Sequence, residues 1–246
     1  MNILKLIDKG ALFIINHSGG KDSQAMTAYL KKIVPNEQLI VIHAHLPQVE
    51  WEGTIEHIEN TIGDLEFHIV QAQKTFFEMV RHRGKFPDAN NRQCTSDLKR
   101  GPIEKKIREL AKYKNKRLVI NCMGIRAEES PGRAKKKQFT FNQNQSKAGR
   151  KWYNWYPIFN WHLNDVLEVI AISGQQLHWA YQKGMTRLSC CFCILASKAD
   201  LKTAAICNPE LYRNFVALEK ELDFTMIMPK KKEARKFLEE ITEVAA

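Results

Sequence analysis

The stretch Leu12-Phe13-Ile14-Ile15-Asn16-His17-Ser18-Gly19-Gly20-Lys21-Asp22-Ser23 passes from an apolar run into a turn that contains two glycines. The next residues, from Gln24 to Lys32, have the apolar spacing of a helix, and this pattern stops before Pro35. The stretch therefore predicts a strand, a loop and a helix in succession. Because glycines let a backbone approach an anion and the N–H groups of a helix N-terminus point towards it, the loop is a candidate phosphate site.

Each residue type in this loop suits a phosphate group. Two serine hydroxyls add hydrogen-bond donors, Lys21 supplies a positive charge, and Asp22 can hold Mg²⁺ or fix the loop. The spacing differs from that of a Walker loop, which places its glycines farther apart before Lys-Ser or Lys-Thr. The alternative is an ordinary turn with a helix cap. The candidate nucleotide-binding residues of the loop are Ser18, Gly19, Gly20, Lys21, Asp22 and Ser23.

The alternation of apolar runs and helical spacing continues along the chain. Further strands are predicted at 39–44, 65–70 and 117–123, and further helices at 51–62, 75–83 and 102–112. This alternation predicts an α/β fold, with a parallel sheet that has helices on both faces and a mainly helical C-terminal part. We expect a nucleotide-binding α/β domain over 1–160 and a helical region over 161–246, packed on the first as one unit. The polar and basic segment 126–153 is predicted to be a long mobile loop over a site.

The composition bounds the class of protein. A chain of 246 residues, with 44% hydrophobic and 26% charged residues, suits one large domain or a domain with an appendage. No apolar run is long enough to cross a bilayer, and residues 1–10 mix acidic and basic side chains, unlike a signal peptide. The sequence therefore predicts a soluble cytoplasmic protein with no membrane partner.

Positive charge is the second compositional feature. The 38 Lys and Arg residues against 27 Asp and Glu give a formal charge of +11, which favours partners such as nucleotides, RNA or DNA. The basic residues concentrate in 81–117, in 133–151 and in Lys230-Lys231-Lys232 with Arg235 and Lys236. The alternative is a solvated face that keeps the protein soluble, and for the last cluster both interpretations stay open.

Six cysteines without a secretory signal favour free thiols over a disulfide framework. Cys190 and Cys193 form a Cys-x-x-Cys pair, whose sulfurs can reach one metal or iron–sulfur cluster from a tight turn. Cys122, inside a predicted strand, is expected in the core. The candidate metal ligands are Cys94, Cys190, Cys193 and Cys207, with Cys191 as an alternative fourth ligand. A [4Fe–4S] cluster, zinc and a free redox pair stay open as alternatives.

The loop from Ser18 to Ser23 resembles the PP-loop of the adenine nucleotide α-hydrolase superfamily, which grips the phosphates of ATP or of a sulfonucleotide. The segment 124–130, Gly-Ile-Arg-Ala-Glu-Glu-Ser, with Arg133 beyond it, resembles the Gly-x-Arg…Glu-Ser…Arg segment of the phosphoadenosine phosphosulfate (PAPS) reductase family. A third block, at 156–166, also resembles that family. The likeness extends over most of the chain, from about residue 12 to about residue 222.

The resemblance implies an enzyme that binds ATP or PAPS and acts at its phosphate or sulfate group, in sulfonucleotide reduction or sulfur transfer. A protein sulfur donor or reductant is then an implied partner. Gly124 and Arg126 are expected to complete the nucleotide site, and the candidate catalytic residues are Lys21, Asp22, Arg126 and Arg133. Guanidinium groups bind phosphate or sulfate oxygens in a bidentate manner, whereas the alternative for both arginines is salt bridging to Glu128 and Glu129.

The cysteine pattern is similar to that of iron–sulfur-bearing relatives, including phosphorothioation-type sulfurtransferases. Two features depart from the family pattern. No cysteine follows Cys207, where thiol-dependent reductases carry a nucleophile, and His45 stands where many relatives have an acidic residue. The alternative functions are an ATP-dependent component of nucleic-acid thiolation or modification, and a nucleic-acid-binding protein that has kept the fold without turnover.

Overall fold

The computed structural model describes residues 3–229 and 233–246. The strands are β1 (Leu12–Asn16), β2 (Leu39–Ala44), β3 (Glu66–Val70), β4 (Leu118–Met123), β5 (Phe139–Phe141) and β6 (Lys151–Trp155). The α-helices are α1 (Ile3–Asp8), α2 (Lys21–Ile33), α3 (Thr54–Ile62), α4 (Phe76–Arg83), α5 (Gln93–Thr95), α6 (Gly101–Tyr113), α7 (Pro131–Ala134), α8 (Leu163–Ile172), α9 (Trp179–Gln182), α10 (Lys198–Cys207), α11 (Pro209–Leu222) and α12 (Leu238–Thr242). The basic cluster Lys230-Lys231-Lys232, a candidate nucleic-acid contact, lies outside the described residues.

The strands form one sheet. Within the described ranges it has six strands in the order β3-β2-β1-β4-β6-β5. β1 pairs in parallel with β2 and with β4, β4 pairs in parallel with β6, and β5 runs antiparallel to β6. The predicted α/β class with a mostly parallel sheet is confirmed.

Apolar side chains cover both faces of this sheet. Phe13 and Ile15 of β1 lie in one cluster with buried residues of α2, α3 and α8. The alternate residues Leu12 and Ile14 lie in a second cluster with Ile107 and its neighbours on α6. Because successive side chains of a strand point to opposite faces, β1 needs apolar residues throughout, and helices cover both sides.

The order of the strands fixes where a ligand site is expected. From β1 the chain continues to β2 and β3 on one side, whereas β4 lies on the other side of β1. The loops that follow β1 and β4 therefore leave the same edge of the sheet in different directions. Such a position is called a switch point, and in open α/β sheets ligands bind there. The side chain of Asn16 ties the end of β1 to β4, since its amide nitrogen donates to Asn121 Oδ1 at 2.7 Å and to the Cys122 carbonyl at 2.8 Å.

The contacts within the chain divide it into two compact units that interleave along the sequence. Unit 1 contains 3–43, 53–70 and 103–178, and unit 2 contains 44–52, 71–102 and the described residues from 179 onward. This division differs from the expected boundary at residue 160. In unit 1, Val166 and Ile170 of α8 complete an apolar cluster of the sheet, although they follow residue 160.

Unit 2 has its own core. Phe215 of α11 packs against several aromatic rings, with centroid separations of 4.9 Å to Phe192 and 5.1 Å to Phe77. Cys191 is fully buried in the same cluster. Of the strands described above, all except the last residue of β2 belong to unit 1, so unit 2 is built mainly of helices and turns.

The segment 126–153 is not the long mobile loop that its polarity predicted. It contains a 3₁₀ turn at Ala127–Glu129, helix α7, strand β5 and the start of β6. Trp152 of β6 is fully buried and pairs with Val119 of β4. The prediction was wrong because the apolar residues of β6 are two tryptophans among polar neighbours, which gives no clear alternation. In the described parts of the chain, no helix combines the length and apolar character that crossing a membrane requires.

Candidate functional site

The loop between β1 and α2 is held by its own hydroxyl groups. Gly19 adopts a left-handed backbone conformation, with φ of 78°, which favours glycine. Ser23 Oγ accepts the Ser18 N–H at 3.2 Å and donates to the Gly20 carbonyl at 2.8 Å. Gly20, the residue before α2, has no side chain to cap the helix, and no side-chain cap bond is present there. The 13-residue helix α2 therefore begins with main-chain N–H groups and the positive end of its dipole.

His17, which was not among the predicted site residues, also holds this loop. His17 is almost fully buried, and its Nδ1 accepts the Gly19 N–H at 3.1 Å. Burial, together with the charges of His43 and His57, lowers the pKa of His17 to about 3. The ring is therefore neutral near pH 7, and because Nδ1 accepts a hydrogen bond, the proton lies on Nε2. Within the described residues, this Nε2 has no hydrogen-bond partner.

His57 contacts the same loop. Burial lowers the pKa of His57, and a hydrogen bond to the backbone of Gly19 partly opposes this effect. The ring of His57 also meets the ring of His178 edge-on, with centroids 5.2 Å apart. Of the three histidines, His17 could be noticed in the sequence because it stands at the start of the loop. His57 and His178 come from distant parts of the chain, and folding brings them close to one another.

Gly124, in the loop after β4, lies close to the first turn of α2. A Cβ atom at this position would lie 3.0 Å from the carbonyl carbon and oxygen of Asp22 and from the backbone nitrogen of Ser23. Such distances demand a shift of the main chain, because no flexible side chain is there to move. The glycine therefore lets the loop after β4 pack directly on the first turn of α2.

Arg126 joins the same two loops by charge. Its Nε donates to Asp22 Oδ1 at 2.6 Å, and a terminal nitrogen donates to Glu128 Oε1 at 2.9 Å. Only 4% of the Arg126 residue is exposed. Burial opposes its charge, but the ion pairs with Asp22 and Glu128 raise the pKa of Arg126 overall. Asp22 thus fixes the loop, which is one of the two roles predicted for it.

Arg133 and Lys21 complete the set of predicted basic residues in unit 1. Arg133 of α7 forms an ion pair with Glu129, four residues before it, and is partly exposed. Lys21, the first residue of α2, is 9% exposed. In this structure both Arg126 and Arg133 contact carboxylates, as their salt-bridge alternative predicted, and their phosphate-binding roles stay predictions.

Residues 13–196 match the sequence model of the phosphoadenosine phosphosulfate reductase domain. The chain belongs to this family. The resemblance carried by the PP-loop and by the segment after β4 is therefore confirmed, and the PAPS reductase domain described here is a member of a nucleotide-binding PP-loop family.

Two relatives of the chain are described as uncharacterized proteins. One, from Methanocaldococcus jannaschii, is 27% identical over 238 residues, which is 90% of this chain and 54% of the relative. The other, a 37.8 kDa protein of Escherichia phage 186, is 33% identical over 128 residues, which is 51% of this chain and 36% of the relative. The chain thus spans about half the length of the first relative and about a third of the second.

Solved structures also resemble the chain at low identity. A PAPS reductase of Candida auris covers 72% of this chain and 80% of its own length, with 12% identity and a TM-score of 0.49. An NH3-dependent NAD synthetase of Campylobacter jejuni covers 91% of this chain and 92% of its own length, with 16% identity and a TM-score of 0.41.

In unit 2, Cys94, Cys190 and Cys193 all interact electrostatically with Lys99. The charges of Cys190, Glu50, Cys193 and Cys94 raise the pKa of Lys99, although its burial acts in the opposite direction. Burial raises the pKa of Cys190 to about 11, with Lys99 partly opposing the shift. Burial likewise raises the pKa of Cys94. The structure therefore brings together three of the four cysteines that the sequence proposed as ligands, and adds a lysine.

The remaining cysteines have different surroundings, although Cys191 also interacts with the adjacent Cys190. Cys191 is fully buried, its pKa is raised mainly by burial, and it interacts with Cys207, which ends α10. Cys122 is buried in β4, as predicted for a core residue. All six cysteines lie in the described part of the chain, and no three of them bring their sulfurs within 4.8 Å of one another.

This spacing bears on the kind of metal. Four thiolates around one zinc at about 2.3 Å would lie about 3.8 Å from one another. In a [4Fe–4S] cluster each cysteine binds a different iron, so the sulfurs lie farther apart. A cluster and a zinc site both stay predictions for these cysteines.

Proposed function

We propose that this PAPS reductase domain binds an adenine nucleotide, ATP or PAPS, at the start of α2 and acts at its phosphate or sulfate group. The observation that carries the proposal is the uncapped N-terminus of α2 at the switch point of the sheet, with Gly124 allowing a second loop to pack on it. A helix N-terminus without a side-chain cap presents N–H donors and positive potential to an anion. The PP-loop sequence and the family assignment support the same ligand.

The residues of unit 1 have separable roles in this proposal. Lys21 and the helix dipole neutralise negative charge on the phosphates, and ATP enters with its own Mg²⁺ as part of the substrate. The ion pair between Asp22 and Arg126 holds the loop in shape. Neutral His17 holds the Gly19 N–H, which leaves the N–H groups of the first turn of α2 to face the ligand. Arg133 provides a guanidinium for an oxygen of the transferred group.

Two chemistries fit this site. With ATP, an acceptor oxygen forms a bond to the α-phosphorus while the bond to pyrophosphate breaks, and pyrophosphate leaves. With PAPS, a thiolate of a partner protein attacks the sulfate sulfur and adenosine bisphosphate leaves; a second thiol of that partner then releases sulfite and forms a disulfide. In both cases Lys21 and the start of α2 stabilise charge on the leaving phosphate.

We further propose that Cys94, Cys190, Cys193 and Cys207 hold a [4Fe–4S] cluster. Such a cluster supplies a redox or electrostatic centre when it is bound. The chain's own contribution is to converge three thiols and to set Lys99 among them, whose positive charge offsets thiolate charge. Cys207 is the proposed fourth ligand because it is partly exposed, whereas Cys191 is enclosed by the aromatic core.

The nucleotide proposal is tested by calorimetric titration of ATP and PAPS into the full chain. We expect measurable affinity that falls at least tenfold in Lys21→Ala and in Ser23→Ala. Lys31→Ala, at the far end of the same helix, is the matched control and should bind as the wild type does. Absence of binding, or binding that is the same in all three variants, would refute the proposal. Release of pyrophosphate from ATP, or of sulfite from PAPS with a dithiol protein, then decides between the two chemistries.

The cluster proposal has a separate test. After anaerobic purification we expect iron and acid-labile sulfide in the wild type and their loss in Cys190→Ala. Cys122→Val removes a thiol from β4 and is the control, which should keep its iron. A protein free of iron after reconstitution, or iron retained by Cys190→Ala, contradicts the assignment and leaves the nucleotide site unaffected.

A further inference from the structure

A cationic cavity lies in unit 2, in the segment that carries Cys94. Its volume is about 530 Å³, and its lining side chains are arginines, amides and hydroxyls, among them Arg83, Asn90, Asn91, Arg92, Thr95 and Arg100. This volume lies within the range of small-molecule sites. The lining contains no aliphatic or aromatic side chain from the described residues, so the cavity offers hydrogen bonds and charge rather than an apolar surface.

The arginines of this cavity form no close ion pair within the described residues, although Asp88 interacts electrostatically with Arg83 and Asp97 with Arg100. In the ranges that the structure describes, none of Arg83, Arg92 and Arg100 has a carboxylate oxygen within ion-pair distance. The two aspartates of the segment have other partners. Asp88 accepts the backbone N–H groups of residues 90 and 91 at 2.8 Å each, and Asp97 accepts from two neighbouring polar side chains.

The surrounding segment is also positively charged. Residues 81–100 contain six Lys and Arg against two Asp, a net charge of +4. Guanidinium groups match phosphate oxygens in a bidentate fork, and amide and hydroxyl side chains are the usual further contacts to phosphate and sugar. An apolar or aromatic lining, which would stack a nucleobase, is missing from the lining residues.

We infer that this cavity binds the sugar–phosphate backbone of a nucleic-acid strand. Three cationic contacts suit a repeated anion, and the absence of a base-stacking surface favours the backbone over a free nucleotide. The contacts position the strand without reading its sequence. Cys94 lies two residues after Arg92, so the strand passes next to the segment that supplies a thiol to the cysteine group. The inference is independent of the adenine nucleotide site in unit 1.

The test is a fluorescence-anisotropy titration of the full chain with labelled 20-nucleotide single strands of RNA and of DNA, at several salt concentrations. Each phosphate contact contributes about 0.7 to the slope of log affinity against log salt for a single strand. Arg92→Gln with Arg100→Gln should lower the slope by about 1.4, which corresponds to about 25-fold weaker binding at 0.1 M salt. Comparison of RNA with DNA shows which backbone is preferred.

The control variant loses the same amount of positive charge at a different position in unit 2. Lys183→Gln with Arg213→Gln removes two exposed positive charges from elsewhere in unit 2 and should leave the affinity within about twofold of the wild type. An equal loss in this control would show that binding follows the total charge, and would overturn the inference. Wild-type affinity in the Arg92→Gln, Arg100→Gln variant would overturn it as well.

Two further measurements separate this cavity from other anion sites. ATP and PAPS affinity should be unchanged in the Arg92→Gln, Arg100→Gln variant, and strand affinity should be unchanged in Lys21→Ala. If the double variant instead loses ATP or PAPS affinity, the cavity belongs to the nucleotide site and the inference is wrong. Polyglutamate of the same length should bind weakly. If it binds as tightly as the strand and shows the same loss, the cavity binds polyanions in general and the inference is wrong.

Discussion

The PP-loop in unit 1 and the cysteine group in unit 2 are both partly buried polar sites, but they are stabilised differently. In the PP-loop, Ser18 bonds to Ser23, Gly19 bonds to His17, and Asp22 pairs with Arg126. In the cysteine group, burial raises the pKa of Cys94 and Cys190, so the chain alone favours protonated thiols. Hydrogen bonds and an ion pair within the chain organise the first site. The second site is organised by packing, and its thiols need a neighbouring cation to become charged.

Because of this difference, we expect the two sites to respond differently to substitution. A site held by internal bonds should lose stability when one bond is removed, before any ligand is added. A site held by packing should lose its ligand when a thiol is removed, with little effect on the fold of the metal-free chain. The predictions below test this contrast, beginning with the largest expected change in stability.

Replacement of Arg126 by methionine should have the largest effect. It leaves the partly buried carboxylate of Asp22 without its cation, and breaking a buried ion pair costs about 3 kcal/mol of unfolding free energy. Arg133→Met breaks the more exposed pair with Glu129 and should cost less than about 1 kcal/mol. Urea unfolding of both variants measures the difference. Equal losses would mean that the internal bonds of the PP-loop do not stabilise it as described.

Gly124→Ala should be the next most harmful change. The added methyl group would lie 3.0 Å from backbone atoms of Asp22 and Ser23, and overpacking of this kind costs about 2 kcal/mol. ATP affinity should fall together with stability, because the loop would move. Gly132→Ala is the control, since nothing lies within 4 Å of a Cβ there. If Gly124→Ala unfolds at the same urea concentration as Gly132→Ala, the close contact between the two loops is absent in solution.

The sheet and the PP-loop were predictable because their signals are local. The apolar run of β1 ends directly at the glycines of the loop, and the helix that follows has regular spacing. β6 gave no such signal, because its pairing with β4 depends on Trp152 and Trp155 finding space in the core. The interleaved units also leave no mark in the sequence, since which segments share a core is decided by tertiary packing.

The candidate site was predictable in its residues but not in their partners. Lys21, Gly124 and Arg126 were identified from residue type and resemblance, and all three lie at the switch point of the sheet. That Arg126 pairs with Asp22 across 104 positions could not be read from the sequence. The same is true of His17, because only burial changes an ordinary histidine into a neutral hydrogen-bond acceptor for the loop.

The neutral state of His17 predicts a dependence of stability on pH. Its pKa is lowered from 6.5 to about 3 in the folded chain, so acid protonates the unfolded chain first. Stability from this group is therefore complete above pH 6.5 and declines as the pH falls towards 3, by about 1.4 kcal/mol per pH unit. His17→Asn keeps an acceptor for the Gly19 N–H and should reduce this slope between pH 6.5 and 4.5. His82→Asn, at an exposed position, should leave it unchanged. Urea unfolding at each pH measures both slopes.

The smallest change in stability is expected for the cysteines next to the group. Cys191→Ala opens a small cavity in the aromatic core and should cost about 1 kcal/mol, whereas Cys207→Ala, at a partly exposed position, should cost less than about 0.5 kcal/mol. For iron content we expect the reverse order, with the larger loss in Cys207→Ala. Because Cys207 is the proposed fourth ligand, Cys207→Ala should lower the iron content and Cys191→Ala should not. Iron loss in Cys191→Ala but not in Cys207→Ala would assign the fourth thiolate to Cys191.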